Sequence, residues 1–380
     1  MIRQKLANGL FRAKRGYDRF TMHWKQRLGW LEPVIIEPYR SYGTRERLLV
    51  RGRVMEDREF GKVSANSSRW RNLLHIYRHF HTDEIPDARV CVRLADQECE
   101  AQCDGEGYFT LELTPKQPVD GDSLWQDIEV ELIEPKAEGQ GKVEATAQVF
   151  VPPADAEFGI ISDIDDTVII TGANDFLRNL RANWMNNAET RRPFPGVDAF
   201  YTALQQGPAE RGRNPIFYVS SSSWNIYPLF VDLLDRHDIP PGPLLLRNIG
   251  LDRQKILDTG HKNYKLDHIR PIFETYPELS FVLIGDSGQK DPEIYREVVH
   301  DYADRVKAIY IRDVTSPQRD KEIHAIADEL AERGVPMVLA DTSVTAAQHA
   351  VEHALITPAA MEKVRAEVER DQQRPEKREE

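Results

Sequence analysis

The stretch FGIISDIDDTVIITG, residues 158–172, crowds three aspartates into four positions directly after an apolar run. The aspartates are Asp163, Asp165 and Asp166, and the run before them is typical of a buried strand. Carboxylates at that spacing repel one another, and burial of an unpaired carboxylate is strongly unfavourable. Some other part of the folded chain must therefore compensate for them.

Short continuous apolar runs recur along the chain after this stretch, with helical patterns such as DPEIYREVVHDYADRV between them. The runs are FGIIS, IFYVS, LSFVLIG, RVKAIYIRD and VPMVLA, beginning at residues 158, 216, 279, 305 and 335. Runs of this kind are typical of parallel strands that are buried on both faces. The pattern predicts a doubly wound α/β domain over residues 156–358, with its chemistry at the carboxyl ends of the strands.

The preceding residues, 36–155, alternate apolar and polar side chains in short segments. The segments are residues 47–55, 88–95, 108–114, 127–135 and 142–152, and Gly-rich and Asp-Gly turns lie between some of them. Several short strands at this spacing predict a small β-sandwich domain. A helix is predicted over residues 70–81 and a linker over 152–157.

Composition restricts the class of protein. The length of 380 residues corresponds to about two domains. The residues are 41% hydrophobic and 29% charged. We find no apolar run of about 18 residues and no apolar core of a secretory signal at the start of the sequence. The three cysteines, Cys91, Cys99 and Cys103, argue against a disulfide framework and lack a second Cys/His pair at zinc spacing. Ordinary thiols and a cytoplasmic location are expected.

Charge is distributed unevenly. Residues 1–27 carry eight Lys or Arg and one acid, which gives a net charge of +7. Because the whole chain has a net charge of −12, the remaining residues carry −19. Apolar and aromatic residues are interleaved with these basic residues, as in an amphipathic helix on an anionic bilayer. A terminal helix packed on the protein's own acidic surface is the alternative. Residues 1–35 are taken as this basic segment and 359–380 as a charged C-terminal tail, and no nucleic-acid partner is expected.

Polar side chains with catalytic potential follow the predicted strands. Asp163 and Asp165 follow the first strand, Ser220 opens a run of four serines after the second, and Asp286 and Asp291 follow a later one. Two lysines, Lys262 and Lys265, lie ahead of that later strand. Because the ends of parallel strands meet at one edge of the sheet, these groups are expected to share one pocket.

These residue types together support phosphoryl-transfer chemistry. Asp163, Asp286 and the backbone carbonyl of Asp165 would form an oxygen-rich site for Mg²⁺, which offsets the repulsion between carboxylates. Asp163 would attack phosphorus, and Asp165 would protonate the leaving oxygen and then activate water. Ser220 and Lys262 would bind the phosphoryl oxygens.

The motifs resemble those of the haloacid dehalogenase superfamily of phosphohydrolases. SDIDDTVIITG, YVSSSSWN, PGPLLLRNIG, GHKNYKLDHI and LIGDSGQKDPEIY are more specifically similar to segments of the actin-patch-associated phosphatidate phosphatases and their bacterial relatives. The lipins share this layout more distantly. The resemblance covers about residues 145–315 and implies Mg²⁺-dependent hydrolysis of phosphatidate to diacylglycerol.

The resemblance also implies residue roles. Asp163 corresponds to the nucleophile and Asp165 to the acid/base, and the expected metal ligands are Asp163, Asp165, Asp286 and Asp291. The expected phosphate-binding residues are Ser220, Ser221 and Lys262. Lys262 is preferred to Lys265 on helix phase, because one apolar face follows it at offsets +4, +7, +10 and +11: Leu266, Ile269, Ile272 and Phe273.

Two other functions remain open at this stage. One is a phosphatase of a soluble or protein-bound phosphomonoester, and the other is a phosphatidate-binding module without activity. The presence of Asp163, Asp165 and Asp286 together favours an enzyme. The short stretch between residues 168 and 214 leaves little chain for a lid, which suits a substrate at a bilayer surface but also an open soluble phosphatase. An enzyme acting on phosphatidate is expected to be peripheral on the inner face of the membrane.

Overall fold

In a computed structural model of the chain, the structure describes residues 24–25, 28–57, 84–121, 123–164, 194–247 and 264–373. The helix predicted over residues 70–81 lies outside this part, as do Asp165, Lys262 and most of residues 1–30. The described residues form two compact units. The first contains those up to residue 152, with 222–229 and 247, and the second contains 153–164, 194–221, 230–246 and 264–373.

The first unit is built from two sheets. Its strands are β1 (Val34–Tyr39), β2 (Ser41–Tyr42), β3 (Leu48–Glu56), β4 (Arg89–Leu94), β5 (Gln97–Gln102), β6 (Tyr108–Leu113), β7 (Trp125–Glu134) and β8 (Glu144–Phe150). One sheet has the order β1-β3-β6 and is antiparallel. The other has the order β2-β8-β7-β4-β5, in which β2 and β8 are parallel and the remaining pairs antiparallel.

The alternating pattern of the first unit places the apolar side chains of both sheets in one core. Val50 and Val54 from the three-stranded sheet and Val90, Val130 and Val149 from the five-stranded sheet belong to the same buried cluster. The five alternating segments of the sequence correspond to β3, β4, β6, β7 and β8. The three cysteines in this unit are free thiols.

The elements from residue 159 onward alternate between strand and helix. They are β9 (Gly159–Asp163), α1 (Val197–Gln206), β10 (Ile216–Ser223), α2 (Tyr227–Arg236), β11 (Leu244–Arg247), α3 (Tyr264–Thr275), β12 (Phe281–Asp286), α4 (Asp291–Tyr302), β13 (Val306–Arg312), α5 (Pro317–Ala331), β14 (Met337–Ala340), α6 (Ser343–Glu352) and α7 (Pro358–Gln373). The strands form one sheet in the order β11-β10-β9-β12-β13-β14. The pairs from β10 to β14 are parallel, so the predicted parallel α/β sheet is confirmed.

The order of the strands identifies where a site belongs. The chain adds β10 and β11 on one side of β9 and then returns to place β12 on the other side. The carboxyl ends of β9 and β12 therefore lie side by side where the direction of winding reverses, which is where ligands bind in open α/β sheets. Asp163 ends β9 and Asp286 ends β12.

The C-terminal residues differ from the expected charged tail. Residues 358–373 form α7, which buries Ala360, Met361, Val364 and Val368 on one face. These side chains recur at helical spacing, so burial of this apolar stripe stabilises the segment as a helix despite its many charges. In the part of the chain that the structure describes, no helix is both long enough and apolar enough to span a bilayer.

Candidate active site

Asp163 is held at the end of a strand that is buried along its whole length. The hydroxyl of Ser162 donates to the carbonyl of Asp163 at 2.6 Å and lies 2.6 Å from the hydroxyl of Tyr201. The side chain of Asp163 is itself only 1% exposed. Apolar burial of β9 thus brings one carboxylate to the sheet edge and removes it from solvent.

A tight loop after β12 brings two more carboxylates together. The backbone N–H of Asp286 donates to Oδ2 of Asp291 at 3.1 Å, so the first turn of α4 folds back onto the strand end. Gly285 permits this approach, because a Cβ there would lie 2.6 Å from the Cβ of Asp291. The carboxylate oxygens of Asp163, Asp286 and Asp291 fall within 4.8 Å of one another, and the three residues are buried.

Lys265 supplies positive charge to this cluster. Its ammonium lies 2.9 Å from Oδ1 of Asp163 and forms an ion pair with Oδ1 of Asp291. Burial disfavours the charged ammonium, but the two carboxylates outweigh burial and raise the pKa of Lys265 above its usual value. The side chain therefore stays charged at neutral pH.

Gln289 connects the remaining carboxylate oxygens. Its amide nitrogen donates to Oδ2 of Asp163 at 3.1 Å and to Oδ2 of Asp286 at 3.0 Å. Its backbone N–H also donates to Oδ1 of Asp286 at 2.8 Å. Asp163 and Asp286 thus face each other across one side-chain amide.

The donor set fits a hard divalent cation. The cluster contains three carboxylates and, among the described residues, one ammonium, so negative charge is in excess. Carboxylate oxygens are the preferred ligands of hard cations. The carboxylate of Asp291 accepts from Lys265 and from the backbone of Asp286. Oδ2 of Asp163 and Oδ2 of Asp286 both lie about one hydrogen-bond length from the same Gln289 amide nitrogen, at 3.1 and 3.0 Å, so these two carboxylates are the pair best placed to hold an ion between them.

An outer contact fixes the loop that carries Gln289. Arg319 donates to the carbonyl of Ser287 at 3.3 Å and to the carbonyl of Gln289 at 3.2 Å. The same guanidinium is held by both carboxylate oxygens of Glu293, at 2.7 and 2.8 Å. The loop is therefore anchored on the side away from the carboxylates.

The predicted phosphate-binding serines lie on the strand next to β9. Val219 of β10 is opposite Asp163 in register, so Ser220 lies one residue past the end of β9. Ser220 is buried and Ser221 is exposed. Asp165 and Lys262 lie outside the described residues, and their assigned roles remain predictions.

Sequence reasoning preferred Lys262 to Lys265, and it missed Gln289. The apolar face predicted for α3 is buried as expected, but Lys265 is buried on it too. Lys265 precedes Ile269 by one helical turn, and this spacing is consistent with a side chain that points inward. Gln289 offers no such signal, because a single glutamine between two motif aspartates follows no periodicity or motif spacing that would indicate its contacts.

Comparison with known proteins agrees with this geometry. Residues 158–313 match the family model described as phosphatidate phosphatase APP1, catalytic domain. The matched range runs from the start of β9 to just beyond β13 and includes the buried carboxylates and Lys265.

Two fungal proteins are similar over part of their length. Phosphatidate phosphatase APP1 of Saccharomyces cerevisiae is 30% identical over 166 residues, which cover 44% of this chain and 27% of that protein. An uncharacterized protein of Schizosaccharomyces pombe is 26% identical over 214 residues, covering 56% of this chain and 34% of that protein. This chain therefore spans about a third or less of the length of these relatives.

A solved structure of a carbohydrate acetylesterase from Xanthomonas citri aligns with 78% of this chain and 75% of its own, at 13% identity and a TM-score of 0.25. That score is too low to indicate a shared fold. The family match over residues 158–313 and the yeast relative confirm the resemblance that the motifs indicate.

Proposed function

We propose that this chain is a Mg²⁺-dependent phosphatase that hydrolyses phosphatidate to diacylglycerol and phosphate through an aspartyl-phosphate intermediate. We further assign the parallel-sheet domain to the haloacid dehalogenase-like fold and the first unit to a β-sandwich. One observation carries the proposal. Within the range matched by the family model, Asp163 is buried beside Lys265 and faces Asp286 at the reversal point of the sheet.

The metal would be held by Asp163 and Asp286, with the backbone carbonyl of Asp165. Bound there, Mg²⁺ would offset the negative charge of the carboxylates and of the phosphoryl group. Lys265 supports the same site, since its ammonium lies 2.9 Å from Oδ1 of Asp163 and attracts the negative charge there. An ionised carboxylate is the form that can attack phosphorus.

The reaction proceeds in two displacements. In the first, a carboxylate oxygen of Asp163 forms a bond to phosphorus, the bond from phosphorus to the glycerol oxygen breaks, and Asp165 donates a proton to that oxygen. In the second, Asp165 takes a proton from water, the water oxygen bonds to phosphorus, and the bond to Asp163 breaks. Phosphate leaves, and both aspartates return to their starting states.

The phosphoryl oxygens require donors that are present before the reaction. Ser220, Ser221 and Lys262 are proposed for this role, with Ser220 placed beside the end of β9. Lys265 is added as a second ammonium, because it already contacts the nucleophile.

A membrane surface is the proposed location of the substrate, contacted through residues 1–30. Three large apolar side chains of this segment are exposed: Trp24 by 44%, Leu28 by 48% and Trp30 by 69%. Lys25 binds the fully buried Glu56 at 3.1 Å, which ties the segment to the first unit. That ion pair also agrees with the alternative of a packed terminal helix, so an experiment must separate the two.

Phosphate release from phosphatidate in mixed micelles, with and without Mg²⁺, tests the activity. Asp163→Asn is nearly isosteric but cannot attack phosphorus, so turnover should fall by orders of magnitude while the circular dichroism spectrum stays unchanged. Asp267→Asn makes the same change at an exposed position of α3 and should keep full activity.

Other outcomes distinguish the alternatives. Release from soluble phosphomonoesters but not from phosphatidate would indicate a soluble-substrate phosphatase. Binding to phosphatidate vesicles without release would indicate a binding module. In Asp165→Asn, phosphate trapped on Asp163 by mass spectrometry would support the assigned roles, and phosphate on Asp165 would reverse them.

Vesicle sedimentation tests the membrane role. Replacing Trp24 and Trp30 by Ser should weaken binding to phosphatidate-containing vesicles and slow hydrolysis there, while turnover of a soluble phosphomonoester stays the same. Added salt should weaken vesicle binding through screening. Equal vesicle binding by both proteins would contradict the membrane role, and a joint loss of thermal stability and of both activities would indicate a packed helix.

A further inference from the structure

The side chain of Gln289 is placed between two carboxylates whose proposed task is to hold a cation. Its amide nitrogen lies 3.1 Å from Oδ2 of Asp163 and 3.0 Å from Oδ2 of Asp286. A primary amide has two N–H bonds, and here both point at carboxylates. The amide therefore satisfies the same pair of oxygens that a bound ion would use.

The orientation of this amide is fixed by its neighbours. The amide oxygen of Gln289 lies 3.5 Å from the ammonium of Lys265, so the acceptor faces a cation and the donor faces anions. Rotation of the amide by half a turn would place the NH₂ group against the Lys265 ammonium and the oxygen against the carboxylates. Both new contacts would be repulsive, so the orientation seen is favoured while no ion is bound.

The backbone restrains Gln289 as well. Its N–H donates to Oδ1 of Asp286 at 2.8 Å, and Arg319 holds its carbonyl at 3.2 Å. These two contacts restrain the backbone that carries the amide, which lies in the gap between the two carboxylates.

We propose that Gln289 competes with the cation for the pair of carboxylate oxygens that its amide nitrogen contacts. The inference rests on the proposed function, since it takes Asp163 and Asp286 as cation ligands. An N–H group and a cation cannot share one carboxylate lone pair, so an ion held between Oδ2 of Asp163 and Oδ2 of Asp286 requires the amide to leave. Gln289 thereby stabilises the free carboxylate pair and lowers its affinity for the ion.

The expected size of the effect follows from two hydrogen bonds to charged acceptors. Bonds of this type are stronger than neutral ones, and their loss on ion binding weakens affinity by about tenfold or more. A protein without these bonds should bind the ion more tightly. It should also be less stable while the ion is absent, because its carboxylates then lack the donor that the Gln289 amide provides.

The test is a comparison of Mg²⁺ binding by calorimetry in the full chain stripped of metal with chelator. Gln289→Met preserves side-chain length and removes the hydrogen bonds. We expect a dissociation constant about tenfold or more lower than that of the natural chain. Gln289→Asn is shorter and cannot bridge both carboxylates, so it provides a second variant with a change in the same direction if the first does not fold.

Thermal unfolding gives an independent readout. The midpoint of Gln289→Met should fall below that of the natural chain in chelator and match it at saturating Mg²⁺, where the amide is displaced in both proteins. Gln348→Met, which removes an exposed amide of α6, should change neither the midpoint nor the binding. Asp286→Asn should abolish binding and so show that the titrated ion occupies this site.

The results separate this inference from the proposed function. An unchanged or weaker Mg²⁺ affinity in Gln289→Met, or no Mg²⁺ binding by the natural chain, would overturn the competition. Tighter binding by the variant would support it even if phosphatidate were not hydrolysed. Hydrolysis of phosphatidate with unchanged binding by the variant would leave the proposed function standing and refute this inference.

Discussion

Replacement of Lys265 by Met tests whether this ammonium compensates the buried carboxylates. Lys265 is 6% exposed and pairs with Asp163 and Asp291, which are 1% and 0% exposed. Removal of one partner from a buried ion pair leaves an uncompensated charge and costs about 3–5 kcal/mol. We therefore expect the free energy of unfolding to fall by about that amount in metal-free buffer.

The assay is urea unfolding of both proteins in chelator, followed by circular dichroism. Lys290→Met is the matched control, because it removes the same charge at an exposed position just before α4 and should change stability by less than about 0.5 kcal/mol. Saturating Mg²⁺ should restore part of the loss in Lys265→Met, since an ion that binds the folded state stabilises it.

The dependence on pH follows from the raised pKa of Lys265. A cation whose pKa is higher in the folded state contributes its full stability below the unfolded value of 10.5, and the contribution is lost as pH rises through the folded value. The difference between natural chain and variant should thus stay constant from about pH 6 to about pH 9. A loss below about 1 kcal/mol, or a loss equal to that of Lys290→Met, would refute the reasoning.

Three further predictions concern residues outside this ion pair. Burial raises the pKa of Glu37 from 4.5 to about 7, so the folded state binds more protons than the unfolded state between about pH 4.5 and pH 7. The free energy of unfolding should therefore fall by about 3 kcal/mol as the pH rises through this range. Urea titrations of Glu37→Gln should lack this decline. Arg305 donates to three backbone carbonyls at and beyond the C-terminal end of α3. Arg305→Met should therefore lose about 2–4 kcal/mol in urea unfolding, whereas Lys307→Met, at an exposed position, should not. Gly285→Ala would place a Cβ 2.6 Å from that of Asp291, whose carboxylate accepts from the backbone N–H of Asp286. Displacement of Asp291 should therefore shift the proposed ligand Asp286 and weaken Mg²⁺ binding by about tenfold in calorimetry, and unchanged binding would contradict the close approach.

The parallel sheet could be predicted because its central strands have a strong sequence signal. β9, β10, β12 and β13 are continuous apolar runs that end in polar residues, and their order along the chain forces Asp163 and Asp286 to one edge. The strand β11 was absent from the prediction, although with four residues it is as long as β14, whose apolar run was predicted. β5 escaped prediction because its inward positions are Cys and Ala rather than large apolar residues.

The candidate site was predicted less completely than the sheet. Motif aspartates could be located because their spacing from a strand end determines their position. The contacts of Lys265 and Gln289 depend on how α3 and the loop after β12 meet, and this is a tertiary arrangement that spacing within one element does not define. Arg319 is still further from any motif, and its contacts to the loop arise only once α5 has packed.

The opening stretch required compensation for carboxylates crowded at a strand end, and two side chains of the described part of the chain contribute to it. Lys265 neutralises part of the charge, and the amide of Gln289 satisfies the oxygens that Lys265 does not contact. An ion that binds between the two oxygens that the Gln289 amide contacts would have to displace that amide. It follows that ion affinity and stability without the ion should change in opposite directions when Gln289 is altered, whereas loss of Lys265 should lower the stability of the metal-free protein directly.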